Sequence, residues 1–234
     1  LGIDPQADPV AVQARSGYLP GELRLYDNLT AERQLRFFSD MRDGTADWGF
    51  ARQLADRLDL NMGRPIKNLS KGNKQKIGVA QALMPRPELL MLDEPTLGLD
   101  PLMQREVLGL IREARADGAT VFFSSHVMSE VQAIADRVAM IRQGVIVEVA
   151  ETQSLIDRAV RRVSIVFKKP VRPEALADVP GVTVLSRGDG MRVMLQVEGD
   201  MDRLISTLSS LPVRDLETSR PSLEEVFLRY YEES

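Results

Sequence analysis

Leu89-Leu90-Met91-Leu92-Asp93-Glu94 is the stretch from which the fold can be read. Four apolar residues in succession suit a strand covered on both faces, as strands of a parallel sheet are. Two acids close the run. In an open α/β sheet, ligands gather outside the carboxyl ends of the strands. Asp93 and Glu94 therefore stand where a ligand would sit. Two carboxylates at such an edge suit a magnesium–phosphate site: one holds the ion, directly or through water, and the other acts on an attacking water. A plain strand end with a solvated turn uses the same residues, so the stretch needs support from its neighbours.

Support lies on both sides. Downstream, Asp100-Pro101 is a helix start, a capping acid followed by proline at the first turn. Met103, Val107, Leu110, Ile111 and Ala114 follow at helical spacing, and Gly118 can end the helix. Thr120-Val121-Phe122-Phe123 reads as a second buried strand. Ser124, Ser125 and His126 come at its end, and His126 is the only histidine. Upstream, Asn68-Leu69-Ser70-Lys71-Gly72-Asn73 opens a helix that carries Ile77, Ala80 and Leu83 and stops before Pro85. Ser70 can cap it. The free N–H groups and dipole of a first helical turn attract phosphate oxygens, and Gly72 lets the backbone come close. Arg64, Lys67, Lys71, Lys74, Lys76 and Arg86 follow one another with no acid between them. That local field favours an anion, although a solvated basic face has the same composition.

The remaining chain frames this core. Leu1-Gly2-Ile3 reads as the end of a strand, followed by a polar loop and Ser16-Gly17-Tyr18-Leu19-Pro20-Gly21. Residues 22–69 read as helices. One is capped by Thr30 and carries Leu35, Phe37 and Phe38; another carries Phe50, Leu54 and Leu58; these apolar residues are taken as core. Val138–Ile141 and Val145–Val147 flank Gly144 as a hairpin. From about residue 160 the style changes. Strands at Val163–Phe167, Val182–Leu185, Met191–Val197 and Val213–Leu216 alternate with a helical turn at Pro173–Ala177 and a helix at Leu204–Leu208. A hairpin turn is expected at Gly188-Asp189-Gly190. A last helix, with Ser222 and Glu225 as a capping box, holds Val226, Phe227 and Tyr230. The order β-α-β-β-α-β-α predicts a small α+β module of ferredoxin-like type. Arg158, Arg161, Arg162, Lys168 and Lys169 form a basic stretch, read as solvated rather than lipid-facing.

Composition bounds the function. The 234 residues carry a net charge of −4 with 44% apolar and 27% charged residues, which is a globular balance. There is no cysteine, which excludes disulfides and cysteine-type metal sites. No apolar run approaches the roughly 18 residues of a spanning helix. Both halves of the chain are slightly acidic, so neither has the basic excess of a dedicated nucleic-acid binder, and no nucleic-acid partner is expected.

Taken in order, Leu69–Asn73, Asp93-Glu94, Gly98-Leu99-Asp100 and His126 resemble the motifs of the nucleotide-binding domain of ATP-binding cassette (ABC) transporters. Leu69–Asn73 is similar to the signature loop and Leu89–Glu94 to the Walker B strand with its catalytic glutamate. Pro95–Asp100 is similar to the D-loop and His126 to the switch histidine. The resemblance covers roughly residues 1–155. The C-terminal module, with Ser222–Phe227, resembles the tail of cassettes of the drug and antibiotic exporter branch. The resemblance implies a P-loop NTPase (ABC ATPase) domain over 1–155, with a helical subdomain at about 22–84, and an accessory domain over 160–234. It implies that Glu94 polarises the water that attacks ATP, that His126 holds the γ-phosphate, and that Asp93 acts on Mg2+. Leu69, Ser70, Lys71, Gly72 and Asn73 would clasp the ATP of an opposite subunit, and Asp100 would pass information between subunits. The implied partners are an integral membrane permease, received by the helical region, and a second nucleotide-binding subunit. The implied place is the cytoplasmic face of the membrane, held peripherally.

The sequence departs from the family pattern in three ways. Lys71 stands where many members have glycine, and Asn73 where many have glutamine. Gly21 stands where a glutamine usually follows Tyr-Leu-Pro, with Glu22 next as a substitute metal contact. No G-x-x-x-x-G-K-[ST] occurs, so a chain lacking its phosphate-cradling segment is expected, inactive on its own. A degenerate cassette that supplies only its signature face, and a cassette ATPase outside transport, are the competing readings.

Overall fold

The computed structural model describes residues 1–42, 47–158, 161–172, 174–187, 189–198, 200–219, 222–224 and 226–227. They fall into two compact units, Leu1–Glu130 and Val131–Ser234.

The first unit is built on a parallel sheet. Its strands are β1 (Ser16–Leu19), β2 (Leu89–Asp93) and β3 (Thr120–Ser124), in the order β1-β2-β3. The apolar run 89–92 is the middle strand, which is why it is apolar: Leu90 is fully buried and Leu92 nearly so. The register sets Leu89 beside Ser16 and Thr120, and Asp93 beside Ser124. Both acids thus emerge at the carboxyl edge of the sheet. β3 differs from its expected burial. It has one neighbouring strand among the described residues, and Phe122 is 70% exposed. An alternating, half-covered strand results.

Helices surround the sheet: α1 (Pro9–Ala14), α2 (Ala31–Asp40), α3 (Trp48–Arg57), α4 (Lys71–Leu83) and α5 (Pro101–Ala116), with a single 3-10 turn at Ile66–Asn68. α1 lies where a polar loop was expected, and residues 1–3 form no strand. The cause of α1 is legible afterwards. Asp8 accepts from the Ala11 N–H and Pro9 starts the helix, the same pair of signals as Asp100-Pro101. Thr30 caps α2 and Asp47 caps α3 through their side-chain oxygens. Leu35, Leu54 and Leu58 are buried as expected, but Phe37 is exposed, with its ring edge-on to Tyr26 at 5.4 Å. α4 packs on β1 and β2 and buries Ile77, Val79, Ala80 and Leu83. Arg57 at the end of α3 bonds Glu106 and Glu113 of α5, which joins the helical region to the helix behind the site. The guanidinium is held further toward its charged form by those carboxylates, Glu113 foremost.

α6 (Met128–Ile134) runs across the division between the units. The second unit continues with the hairpin β4 (Arg137–Arg142) and β5 (Val145–Glu151), followed by α7 (Thr152–Arg158). Its turn uses Gln143 and Gly144, both at positive φ, which matches the twist of the paired strands. Four strands follow, β6 (Arg161–Phe167), β7 (Val182–Arg187), β8 (Arg192–Val197) and β9 (Val213–Ser219), with α8 (Glu174–Ala177) and α9 (Asp202–Leu208). The sheet order β7-β8-β6-β9, antiparallel throughout, is the ferredoxin-like order. Val163, Ile165, Phe167, Val193, Leu195 and Val197 alternate inward and pack on Leu176, Leu204 and Leu208. Pro173, Gly188, Glu225 and Tyr230 lie outside the described residues.

Candidate functional site: a carboxylate–imidazole edge beside a helix start

The end of β2 is fixed by the end of β3. The Ser124 hydroxyl donates to Asp93 Oδ1 and accepts from the backbone N–H of Glu94 at 3.1 Å. One hydroxyl therefore orients the first acid and anchors the backbone of the second. Glu94 has φ +47°, a left-handed conformation that costs a residue with a Cβ about 1–2 kcal/mol. The turn lifts its carboxylate toward His126. Nδ1 of His126 lies 2.8 Å from Glu94 Oε2 and 2.9 Å from Oε1. The hydrogen bond to Glu94, then its charge, raises the imidazole pKa above the usual histidine value. The histidine is exposed and the glutamate three-quarters covered. This leaves a carboxylate under an accessible imidazole.

The turn after β1 closes one side of Asp93. A Cβ added at Gly21 would stand 2.5 Å from Asp93 Oδ2. The glycine gives the carboxylate its room. Glu22 is almost fully exposed and lies 3.9 Å from Arg24.

The helix start takes shape as its sequence dictates. Ser70 caps α4, its Oγ accepting from the Asn73 backbone N–H at 3.2 Å and from Asn73 Nδ2 at 3.1 Å. Ser70 and Lys71 are exposed, Leu69 and Gly72 half-buried. A Cβ on Gly72 would lie 2.6 Å from the Gly98 carbonyl oxygen, so the helix start rests on the loop that follows Glu94. Asp100 caps α5, with Oδ1 accepting from the N–H groups of Leu102 and Met103 at 3.0 and 3.1 Å. The structure thus joins Asp93, Glu94 and His126 through side chains. It joins the 69–73 turn to them through the backbone of residues 94–98.

Four supporting residues escaped the sequence reading. Gln75 Nε2 donates to the carbonyls of Glu94 and Pro95. Glu130 Oε2 accepts from Thr96 Oγ1 at 2.8 Å and from Ser125 Oγ at 3.0 Å. Both Glu130 and Thr96 are buried. Gln75, two positions beyond Asn73, carries a local signal, a polar residue on the buried side of an amphipathic helix. Glu130, Thr96 and Ser125 carry none, because their partners are set by the tertiary fold.

A divalent cation fits this edge in one way. Among the described residues no cluster of three or more His, Cys, Asp or Glu could cage a metal. Magnesium commonly takes one or two protein oxygens and fills its shell with water and phosphate. Asp93, exposed at the strand end, would offer such an oxygen.

The parallel sheet with its flanking helices is a mixed α/β fold consistent with that of the P-loop NTPases. Comparison with known proteins narrows the class. A family model described as "AAA domain, putative AbiEii toxin, Type IV TA system" matches residues 13–131, and one described as "ATP-binding protein DrrA1-3-like, C-terminal domain" matches residues 156–231. The chain is 35% identical over 161 residues to the ABC transporter ATP-binding protein NatA of Bacillus subtilis, covering 67% of this chain and 65% of that one. It is 29% identical over 235 residues to the linearmycin resistance ATP-binding protein LnrL of the same organism, covering 91% and 73%. An uncharacterized ABC transporter ATP-binding protein of Alkalihalophilus pseudofirmus is 33% identical over 220 residues, covering 91% and 81%. A solved ATP-binding subunit of an ABC transporter superposes with a TM-score of 0.59 at 27% identity, covering 66% of each chain. This chain belongs to the ABC transporter ATP-binding proteins. It spans 65% of the length of NatA.

Proposed function

We propose that this chain carries the hydrolytic half of an ATP-driven exporter. The observation that carries the reading is the Glu94–His126 contact at 2.8 Å on the carboxyl edge of the sheet. Glu94 is placed to take a proton from a water, because its carboxylate stands clear of the strand and is steadied by the imidazole. His126, exposed above it, offers its other ring nitrogen to a terminal phosphate oxygen. Asp93 would hold a magnesium ion, directly or through water, and the ion, when bound, would supply charge neutralisation at the phosphates. The Ser70 hydroxyl, the Lys71 ammonium, the Asn73 side chain and the first-turn N–H groups of Lys71 and Gly72 would face the phosphates of ATP bound by a second subunit. Leu69 seats that turn in the fold, and Asp100, as cap of α5, fixes the neighbouring loop.

The partners of this reading are a second nucleotide-binding subunit and a membrane permease received by the helical region at about 22–84. No helix among the described residues is long and apolar enough to cross a membrane. We place the chain on the cytoplasmic face, held peripherally. Its ATPase part takes residues 1–155 and an accessory part 160–234. The names of LnrL and of the probable multidrug protein YbhF support export of a drug-like cargo.

The test is Glu94→Gln, which keeps shape and removes the base. The 234 residues contain no G-x-x-x-x-G-K-[ST], so hydrolysis is assayed in a polypeptide joining them to a phosphate-binding loop. Phosphate release should fall by about 10²-fold or more while nucleotide binding persists. Unchanged release would remove Glu94 from the reaction.

A further inference from the structure

We propose that Gln75 is a positioning residue: its side-chain amide ties the helix that begins at Ser70 to the backbone carrying Glu94, so that the state of the 70–73 turn sets where the Glu94 carboxylate stands. The proposal rests on the role given to Glu94 above and adds a route by which the helix start governs it.

Gln75 sits in α4 and is only 8% exposed. Nε2 donates to the carbonyl oxygen of Glu94 at 2.9 Å and to that of Pro95 at 3.2 Å. Both N–H groups of a buried amide are thus spent on two consecutive carbonyls. Those carbonyls lie on the carboxyl side of a residue that needs holding. Glu94 is in the left-handed region, which a side chain other than glycine keeps only when its surroundings over-determine it. On its amino side the clamp is Ser124, which accepts its N–H. On its carbonyl side the donors are Gln75 and the N–H of Leu97, at 3.1 Å within the loop itself. Gln75 is therefore the clamp that comes from another element.

The same helix touches the same loop a second time. Gly72 lies so close to the Gly98 carbonyl that a Cβ would meet it at 2.6 Å. The first turn and a half of α4 therefore bears on the 94–98 loop at both ends. A shift or rotation of the helix start moves Gln75 with it. The peptide planes at 94 and 95 must follow or lose their donor, and the Glu94 carboxylate turns relative to His126. A buried amide kept for packing alone would fill the same space without passing on such a shift.

His126 reports the outcome, because it is the sole histidine and its ring signals in a proton NMR titration need no assignment. In the full chain, Gln75→Met keeps the volume and removes the donor. The His126 midpoint should fall toward the ordinary value of 6.5, with helix content by circular dichroism preserved. Gln75→Asn, one methylene short, should lower it too, and gives the reading if the Met variant does not fold. Ser70→Ala, which removes the cap of α4, should move the midpoint when Gln75 is present and fail to move it in the Gln75→Met background. An unmoved midpoint in the Gln75 variants, or the same Ser70→Ala shift in both backgrounds, overturns the proposal. Glu94→Gln separates the two levels. If it leaves the midpoint unchanged, the Glu94–His126 pair fails and the functional reading with it. If it lowers the midpoint while Gln75→Met does not, only the role of Gln75 fails.

Discussion

Ser124 shows how one side chain can organise a sheet edge. Its hydroxyl serves Asp93 and the Glu94 backbone at once. Alanine there should free both acids, lowering hydrolysis without unfolding the sheet; a chevron or melting curve close to that of the parent, together with a phosphate-release assay, checks this. The Glu94–His126 pair also fixes a pH response. The imidazole pKa is raised in the fold, so the pair contributes fully below the unfolded histidine value and is lost as pH rises through the raised one. Glu94→Gln should lower the titration midpoint of His126, measured by NMR, and should remove that pH dependence from the stability. At this scale the sequence is informative about identity and poor about contact. His126 stands out as the only histidine after a strand. Its partner lies 32 positions away and is chosen by the pairing of β2 with β3.

Helix ends carry the clearest local signals. Asp100 accepts two N–H groups at the start of α5. Asp100→Ala should cost about 1 kcal/mol, read as a lower denaturation midpoint with unchanged slope. Gly72→Ala should be worse than a propensity change alone, because alanine normally favours a helix over glycine. Its methyl group meets the Gly98 carbonyl, so the loop must give way and thermal stability should fall rather than rise. Elements defined by a cap and a period were legible: α2, α4 and α5 follow Thr30, Ser70 and Asp100. α1 was missed although Asp8-Pro9 carries the same cap-and-proline signal as Asp100-Pro101. α1 spans 6 residues and buries none of them, so no apolar period supported the cap. Phe37 was misplaced for the opposite reason. It fits the helical stripe, yet its ring meets Tyr26 at the surface instead of entering the core.

Across the whole molecule, the chain divides into two compact units, and the second has a core of its own. Phe167 is fully buried in the core of the antiparallel sheet. Phe167→Ala should destabilise the second unit by about 3–5 kcal/mol. The His126 titration, which reports on the first unit, should stay in place; a coincident shift would show that the units do not hold their structures independently. The apolar run at 89–92, the helix starts at Ser70 and Asp100, and the alternation in strands β6 and β8 are local patterns, and chain order alone reveals them. They were enough to give the α/β layer and the ferredoxin-like module. What the tertiary structure alone decided is which side chains meet. Parallel register brings Asp93 to Ser124, and a left-handed Glu94 reaches His126. Helix α4, packed across the sheet, delivers Gln75 to the carbonyls of that same turn. Contacts of this kind depend on strand pairing and helix packing between distant segments, and those forces leave no periodicity in the sequence.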